Sequence, residues 1–149
     1  VDDMVAAMIA AFYHNDLRML RMLLEDAEQL GPAKMTENGR LLRAMYTVHC
    51  GSDEELKQAI AKVNKNDLDG PFLRIATLIS VGADCIDAQD ESKLVKQWKI
   101  DFFREQQDDD PIDQQLYLLL RSRVAAAQGD AKKAKKLKKS KYSRHFVEA

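Results

Sequence analysis

Apolar side chains recur at i, i+3, i+4 and i+7 through most of this chain, and turn-forming clusters interrupt them at intervals of about 36 residues, as between Asn15-Asp16 and Gly51-Ser52. Only an α-helix brings that spacing onto one face; a half-buried strand would alternate by two. The chain is therefore constrained to amphipathic helices, and wherever the turn between two of them is short they must fold back on each other as an antiparallel hairpin.

In the first round, Met4, Ala7, Met8 and Ala11 form one stripe and Leu17, Leu20, Leu24 and Ala27 the next. His14-Asn15-Asp16 separates them. Asn tolerates the left-handed backbone that ends a helix, and Asp accepts the free N–H groups of the helix that follows. Gly31-Pro32 closes the round. The second has Leu41, Ala44, Met45 and Val48, a turn at Gly51-Ser52-Asp53, then Leu56, Ile60 and Val63. After a breaker from Asp67 to Pro71, Phe72, Ile75, Ala76 and Ile79 begin the third, in which Gly82 is expected to interrupt the helix. The polar stretch Asp84 to Glu91 reads as an extended connection, with the partner helix starting near Asp90 and running through Leu94, Val95, Trp98, Phe102 and Phe103. The fourth follows Asp108-Asp109-Asp110-Pro111, where Asp caps and Pro suits the first helical position. Its stripe is Leu116, Tyr117, Leu120 and Val124; Gln128-Gly129-Asp130 makes the turn, and a Lys-rich helix follows with only Ala131, Ala134 and Leu137 as apolar contacts.

Composition agrees with helices: six Gly and three Pro in 149 residues are too few for a turn-rich β fold. The length suits one domain that needs neither disulfide nor metal to hold a core. Cys50 and Cys85 read as free buried thiols of a reducing, cytoplasmic compartment, with a disulfide between them as the alternative. No segment approaches the roughly 20 consecutive apolar residues of a membrane span. The N-terminus has no basic region leading into an apolar core, so it does not read as a signal peptide. A helical pattern starting almost at Val1 points to a piece of a longer protein. The net charge of -1 excludes a globally basic nucleic-acid binder, although the last quarter of the chain is basic.

Met4-x-x-Ala7-Met8-x-x-Ala11, followed by Leu20-x-x-x-Leu24-x-x-Ala27 and then Pro32, has the spacing of a tetratricopeptide repeat, whose period is about 34 residues. The stretch from Val124 through Gly129-Asp130 to Ala134 resembles the junction between the two helices of such a repeat. The resemblance to tetratricopeptide arrays implies an all-α fold in one domain spanning 1–149, with pairs at approximately 2–31, 36–66, 70–106 and 111–143. About seven to eight helices would stack as a right-handed superhelix. In the fourth pair Lys138 and Lys141 stand where the first has Leu24 and Ala27, which fits a polar helix capping the stack.

Catalytic chemistry finds little support. His14, His49 and His145 are scattered, and the adjacent His49-Cys50 pair would point in different directions on a helix. Asp84, Asp87, Asp90 and Glu91 lack the Gly and terminal Glu of a calcium loop, and no Gly-rich phosphate loop is present. We therefore expect no enzyme activity, no catalytic residue, no metal site and no cofactor. Lys132, Lys133, Lys135, Lys136, Lys138, Lys139 and Lys141 with Arg144 form a candidate polyanion-binding surface, for which a solvated cap is the plainer reading and nucleic acid a secondary one.

The expected function is a protein–protein interaction scaffold whose concave face, built mainly from the first helix of each pair, receives a peptide segment of a partner. Tyr13, Asn38, Arg40, Arg43, Tyr46, Arg74, Gln115 and Arg121 are the candidate contacts, since Arg and Tyr tend to carry interface energy. The alternatives are a ligand- or peptide-sensing regulatory domain of a transcription factor or signalling protein, and a secretion or assembly chaperone. Six methionines, Met4, Met8, Met19, Met22, Met35 and Met45, lie in the first third, where core packing is the commoner use and an adaptable binding surface the other.

Overall fold

The computed structural model describes residues 2–14, 16–29, 36–101 and 111–139. Among them lie eight α-helices and no strand: α1 (Asp2–Tyr13), α2 (Leu17–Gln29), α3 (Glu37–Cys50), α4 (Asp53–Ala61), α5 (Gly70–Ala88), α6 (Ser92–Asp101), α7 (Pro111–Ala127) and α8 (Ala131–Lys138). The all-α class read from the spacing is observed.

Side chains cap the helices where the turn clusters fall. The Met19 N–H donates to Asp16 Oδ1 at 3.0 Å at the start of α2. The Gly39 N–H donates to Thr36 Oγ1 at 3.2 Å at the start of α3. At α4, Ser52 and Glu55 satisfy each other's backbone N–H groups in a capping box, at 3.1 and 3.2 Å. The Lys133 N–H donates to Asp130 Oδ1 at 3.0 Å, and Gly129, at φ 83°, supplies the left-handed residue of the α7–α8 turn. Asp67 to Pro71 breaks the chain as expected: a single 3-10 turn over Lys65–Asp67 leads to Gly70 at φ 56° and Pro71 in the first turn of α5.

The hairpins pack as short turns require, α1 on α2, α3 on α4, α5 on α6 and α7 on α8. Between pairs, α1 and α2 cover α3, α3 and α4 cover α5, and α5 covers α7. Met8, Phe12, Leu20, Leu24, Leu41, Leu56, Leu78, Ile79, Leu94, Leu116, Leu120 and Val124 are buried in one continuous core running through all four pairs. Each such side chain contributes about 1.5–3 kcal/mol by leaving water. Of the Lys-rich helix's expected contacts, Ala134 is buried and Leu137 half-buried, but Ala131 is exposed.

Several expectations are corrected. In a linear stack each pair meets only its neighbours, yet α7 also packs on α3, so the fourth pair closes back on the second. Gly82 does not interrupt its helix: α5 continues to Ala88 and ends only where Gln89 turns left-handed, at φ 56°. The acidic stretch after Gly82 is helical because Ala83, Cys85 and Ile86 face the core while Asp84 and Asp87 face outward. Its exposed Asp87 pairs with Lys57 of α4. The partner helix α6 begins at Ser92, whose N–H donates to Asp90 Oδ1 at 3.0 Å; Phe102 and Phe103 lie outside the described residues. Cys85 is buried as expected, but Cys50 is exposed, and both are free thiols.

At Gly82, α5 passes close against α7. A Cβ built there would stand 2.8 Å from Leu120 Cδ2, in a part of the core where Leu120 has no exposed surface. Gly82→Val should therefore lower stability in urea by about 2 kcal/mol through overpacking. Gly82→Ala should lie nearer neutral, because about 1 kcal/mol of helix propensity offsets a smaller clash. Leu120→Ala should cost less in the Gly82→Val background than in the parent, as a double-mutant cycle in urea would show.

Candidate functional site

Helix α3 ends without a left-handed glycine: Gly51 is extended, at φ -94° and ψ 169°. The Gly51 N–H closes on the Thr47 carbonyl at 2.9 Å, and Arg123 of α7 adds donors to the carbonyls around this end. The guanidinium donates to the carbonyls of Thr47 at 2.8 Å, Val48 at 3.0 Å and Gly51 at 2.6 Å, and to Asp53 Oδ1 of α4 at 2.8 Å. A cation at a helix C-terminus also opposes the partial negative charge there. Only 15% of the Arg123 side chain remains exposed.

With its end held, α3 presents a row of polar side chains between α2 and α4. Arg40, Arg43 and Thr47 form the floor of a cleft of about 390 Å³, with Glu28 on the α2 side and Gln58 and Lys62 on the α4 side. Arg40 pairs with Glu37, whose other oxygen accepts the Asn64 N–H at 2.8 Å and so fixes the start of α3 to the chain leaving α4. Arg43 Nε lies 3.2 Å from Glu28 Oε1, and its guanidinium sits 5.9 Å from the centre of the Tyr46 ring. Burial, then the proximity of the Cys50 sulfur, raises the Tyr46 pKa. The arrangement is a strip of exchangeable ion pairs with an aromatic at its end. Such a strip can take a carboxylate-bearing segment in place of its own Glu28.

A second polar cluster joins the last two pairs. Glu91 accepts two hydrogen bonds from Arg121, at 3.0 and 3.2 Å, and one from Lys133 at 3.1 Å. Arg121 first and Lys133 after it hold the Glu91 carboxyl below its ordinary value. Arg121 lies 5.5 Å from the centre of the Tyr117 ring, and Tyr117 stacks on Trp98 at 4.5 Å with the rings 6° from parallel.

The expected contact residues are therefore not gathered into one concave groove. Arg40 and Arg43 line the α2–α4 cleft, with Tyr46 against Arg43. Half-buried Asn38 lies on the first turn of the same helix. Arg74 is half-buried on α5, and Arg121 is committed to Glu91 on α7. Tyr13 ends α1, with its side chain outside the described set. Gln115 is corrected: it has no exposed surface, because α7 is enclosed on several sides, and its amide has no hydrogen-bond partner among the described residues. Arg123, Glu28 and Glu91 were missed, and no local signal marks them, since each acts on a residue of another helix pair. Met8 and Met45 are core, whereas Met19 and Met22 are exposed on α2. Lys132, Lys133, Lys135, Lys136, Lys138 and Lys139 lie on α8 or just past its end, while Lys141 and Arg144 lie outside the described residues.

His49 and Cys50 do not form a nucleophilic pair. His49 packs edge-on against Phe12, ring centres 5.3 Å apart, while Cys50 faces Tyr46. Partial desolvation of its sulfur, on an otherwise exposed residue, raises the Cys50 thiol, and burial lowers the imidazole to about 4, the reverse of a thiolate–imidazolium couple. Among the described residues no group of three or more His, Cys, Asp or Glu is placed to hold a metal ion, and no helix is long and apolar enough to cross a membrane. Comparison of the chain with protein-family models, with curated proteins and with solved structures finds no match.

Arg123→Leu should cost about 3 kcal/mol in chemical denaturation, because it strips several partly buried acceptors at once, whereas Asp53→Asn should cost less than about 1 kcal/mol at its more exposed position. His49 predicts a pH dependence. Its folded value of about 4 lies below the ordinary 6.5, so the unfolded chain takes up the proton first. Its share of stability should fall as pH drops below about 6.5 and stop falling below about 4, and His49→Phe should flatten that part of the profile.

Proposed function

We propose that this chain is a protein–protein interaction scaffold, an array of helix hairpins that binds a peptide segment of a partner. The observation carrying this reading is the α2–α4 cleft, lined by Arg40, Arg43 and Lys62 together with Glu28 and Glu55. The cleft lies between helix pairs, where a stack of pairs has its joints. Its volume, about 390 Å³, suits a few residues of an extended segment. Its charge selects the occupant. Arg43 is held by Glu28, whose side chain is 46% exposed, so an incoming Asp or Glu can replace that pairing at little cost in desolvation. The planar guanidinium then offers a two-pronged contact with the carboxylate, and the Tyr46 ring beside it adds apolar surface. Serving as a scaffold also fits the thiol and imidazole of this helix, both held in their uncharged forms.

The test is selection from a displayed library of random peptides on the whole chain. Enriched peptides should share an acidic residue and should bind about ten-fold more weakly to Arg43→Glu, the loss of one charged interface contact. Glu28→Gln should bind them as well or better, since it removes the competitor. No enrichment, or enrichment indifferent to Arg43→Glu, overturns the reading.

A further inference from the structure

The Lys-rich helix carries more charge than a polar cap requires, and its lysines are divided between two tasks. Lys133 is half-buried and shares Glu91 with Arg121, and Ser122 donates its hydroxyl to the Ala134 carbonyl at 2.8 Å. These contacts fix α8 on α7 by its Lys133–Ala134–Leu137 face. Lys132, Lys135, Lys136, Lys138 and Lys139 are all exposed, and none has an ion-pair partner among the described residues. At about 100° per residue, they fall within an arc of roughly 160°, from Lys136 at one edge to Lys138 at the other; Lys132, Lys136 and Lys139 border the Arg121 side, and Lys135 and Lys138 rim the depression that Leu119, Ser122 and Arg123 of α7 line. Lys132, Lys133, Lys136 and Lys139 also line an open depression of about 820 Å³ beside Arg121. The nearest acid of the helix itself, Asp130, is engaged as its N-cap.

We propose that the lysine arc of α8 is a sequence-independent binding surface for the phosphate backbone of double-stranded nucleic acid. The free cations are all lysines. Lysine acts as a strongly hydrated point charge suited to phosphate, whereas the planar fork that favours carboxylates belongs to Arg121 and is occupied by Glu91. A helix about 10–12 Å across, with cations at both edges of its exposed face, matches a major groove about 12 Å wide flanked by two phosphate strands. Duplex nucleic acid carries a charge every 1.7 Å or so, and lysines that displace its condensed counterions gain affinity with no need for base contacts. The arc holds no Arg, Asn or Gln to read base edges, so no sequence preference is expected. An anionic membrane is the poorer occupant. The only apolar residue on the arc is Ala131, so nothing is available to enter the acyl region. The surface shares no residue with the α2–α4 cleft, and each can be tested without the other.

Fluorescence anisotropy of a labelled, mixed-sequence DNA duplex of roughly 20 base pairs, titrated with the whole chain at about 50 to about 200 mM KCl, tests the proposal. Micromolar binding is expected, with a log–log salt slope of about -3 to -4 from the exposed lysines. Lys132→Gln, Lys136→Gln and Lys139→Gln together should raise Kd at least about ten-fold and flatten the slope by about 3, while the corresponding Lys→Arg triple should retain binding. Glutamine keeps good helix propensity, and circular dichroism confirms that α8 survives. No binding at the lowest salt, equal binding by the Gln triple, or capture by phosphatidylserine vesicles without capture by the duplex would each overturn it.

Discussion

One guanidinium closes this fold. The C-terminal carbonyls of a helix need partners, and most helices find them locally through a left-handed residue. Here Gly51 is extended, and Arg123, more than seventy residues away, adds donors. Its contacts reach the last turn of α3, the residue after it and the first turn of α4. Hydrogen bonds at the end of α3 therefore also tie α7 to it. A stack of hairpins that could have remained open becomes a closed body, and the polar face of α3 is held in place.

That closure leaves α7 packed between α3, α5 and α8. Gln115, Leu116, Leu119, Leu120, Ser122, Val124 and Ala125 are buried around most of its circumference, as expected of a helix enclosed by others. Small and polar residues set the close contacts: Gly82 leaves room for Leu120, and Ser122 bonds to the Ala134 carbonyl of α8. Charges follow the same logic. Glu91 lies just before α6 and anchors Arg121 of α7 and Lys133 of α8, so the last two pairs are joined by one carboxylate. With those two cations sharing one carboxylate, the remaining lysines of α8 are left exposed. On the other side of α3, Arg43 and Glu28 form an exposed pair that solvent and ligands can exchange. Both binding surfaces argued for above are thus by-products of how the helices are fastened.

The sequence by itself determined the helices. The apolar spacing placed the stripes of α2 to α4 and α7, and in α1 it found Met8 and Ala11 but took exposed Ala7 for a core position and passed over buried Phe12; the turn residues marked the caps at Asp16, Ser52 and Asp130, because helix periodicity and capping are local and depend on neighbours within about four residues. The same local reading misjudged Gly82, whose meaning lies in Leu120, and the acidic end of α5, whose buried residues alternate with exposed aspartates. Arg43 and Tyr46 were legible as contact residue types, but Glu28 as the partner of Arg43 was not. Gln115 looked like a surface residue until the packing around α7 enclosed it. What only the tertiary structure decided is which residues meet across the chain: Arg123 on the end of α3, Glu91 between two cations, and which lysines of α8 are spent on the fold and which remain free. Periodicity says which face of a helix is buried, but the identity of its neighbour follows from the return path of the chain, and that path is set by contacts dozens of residues apart.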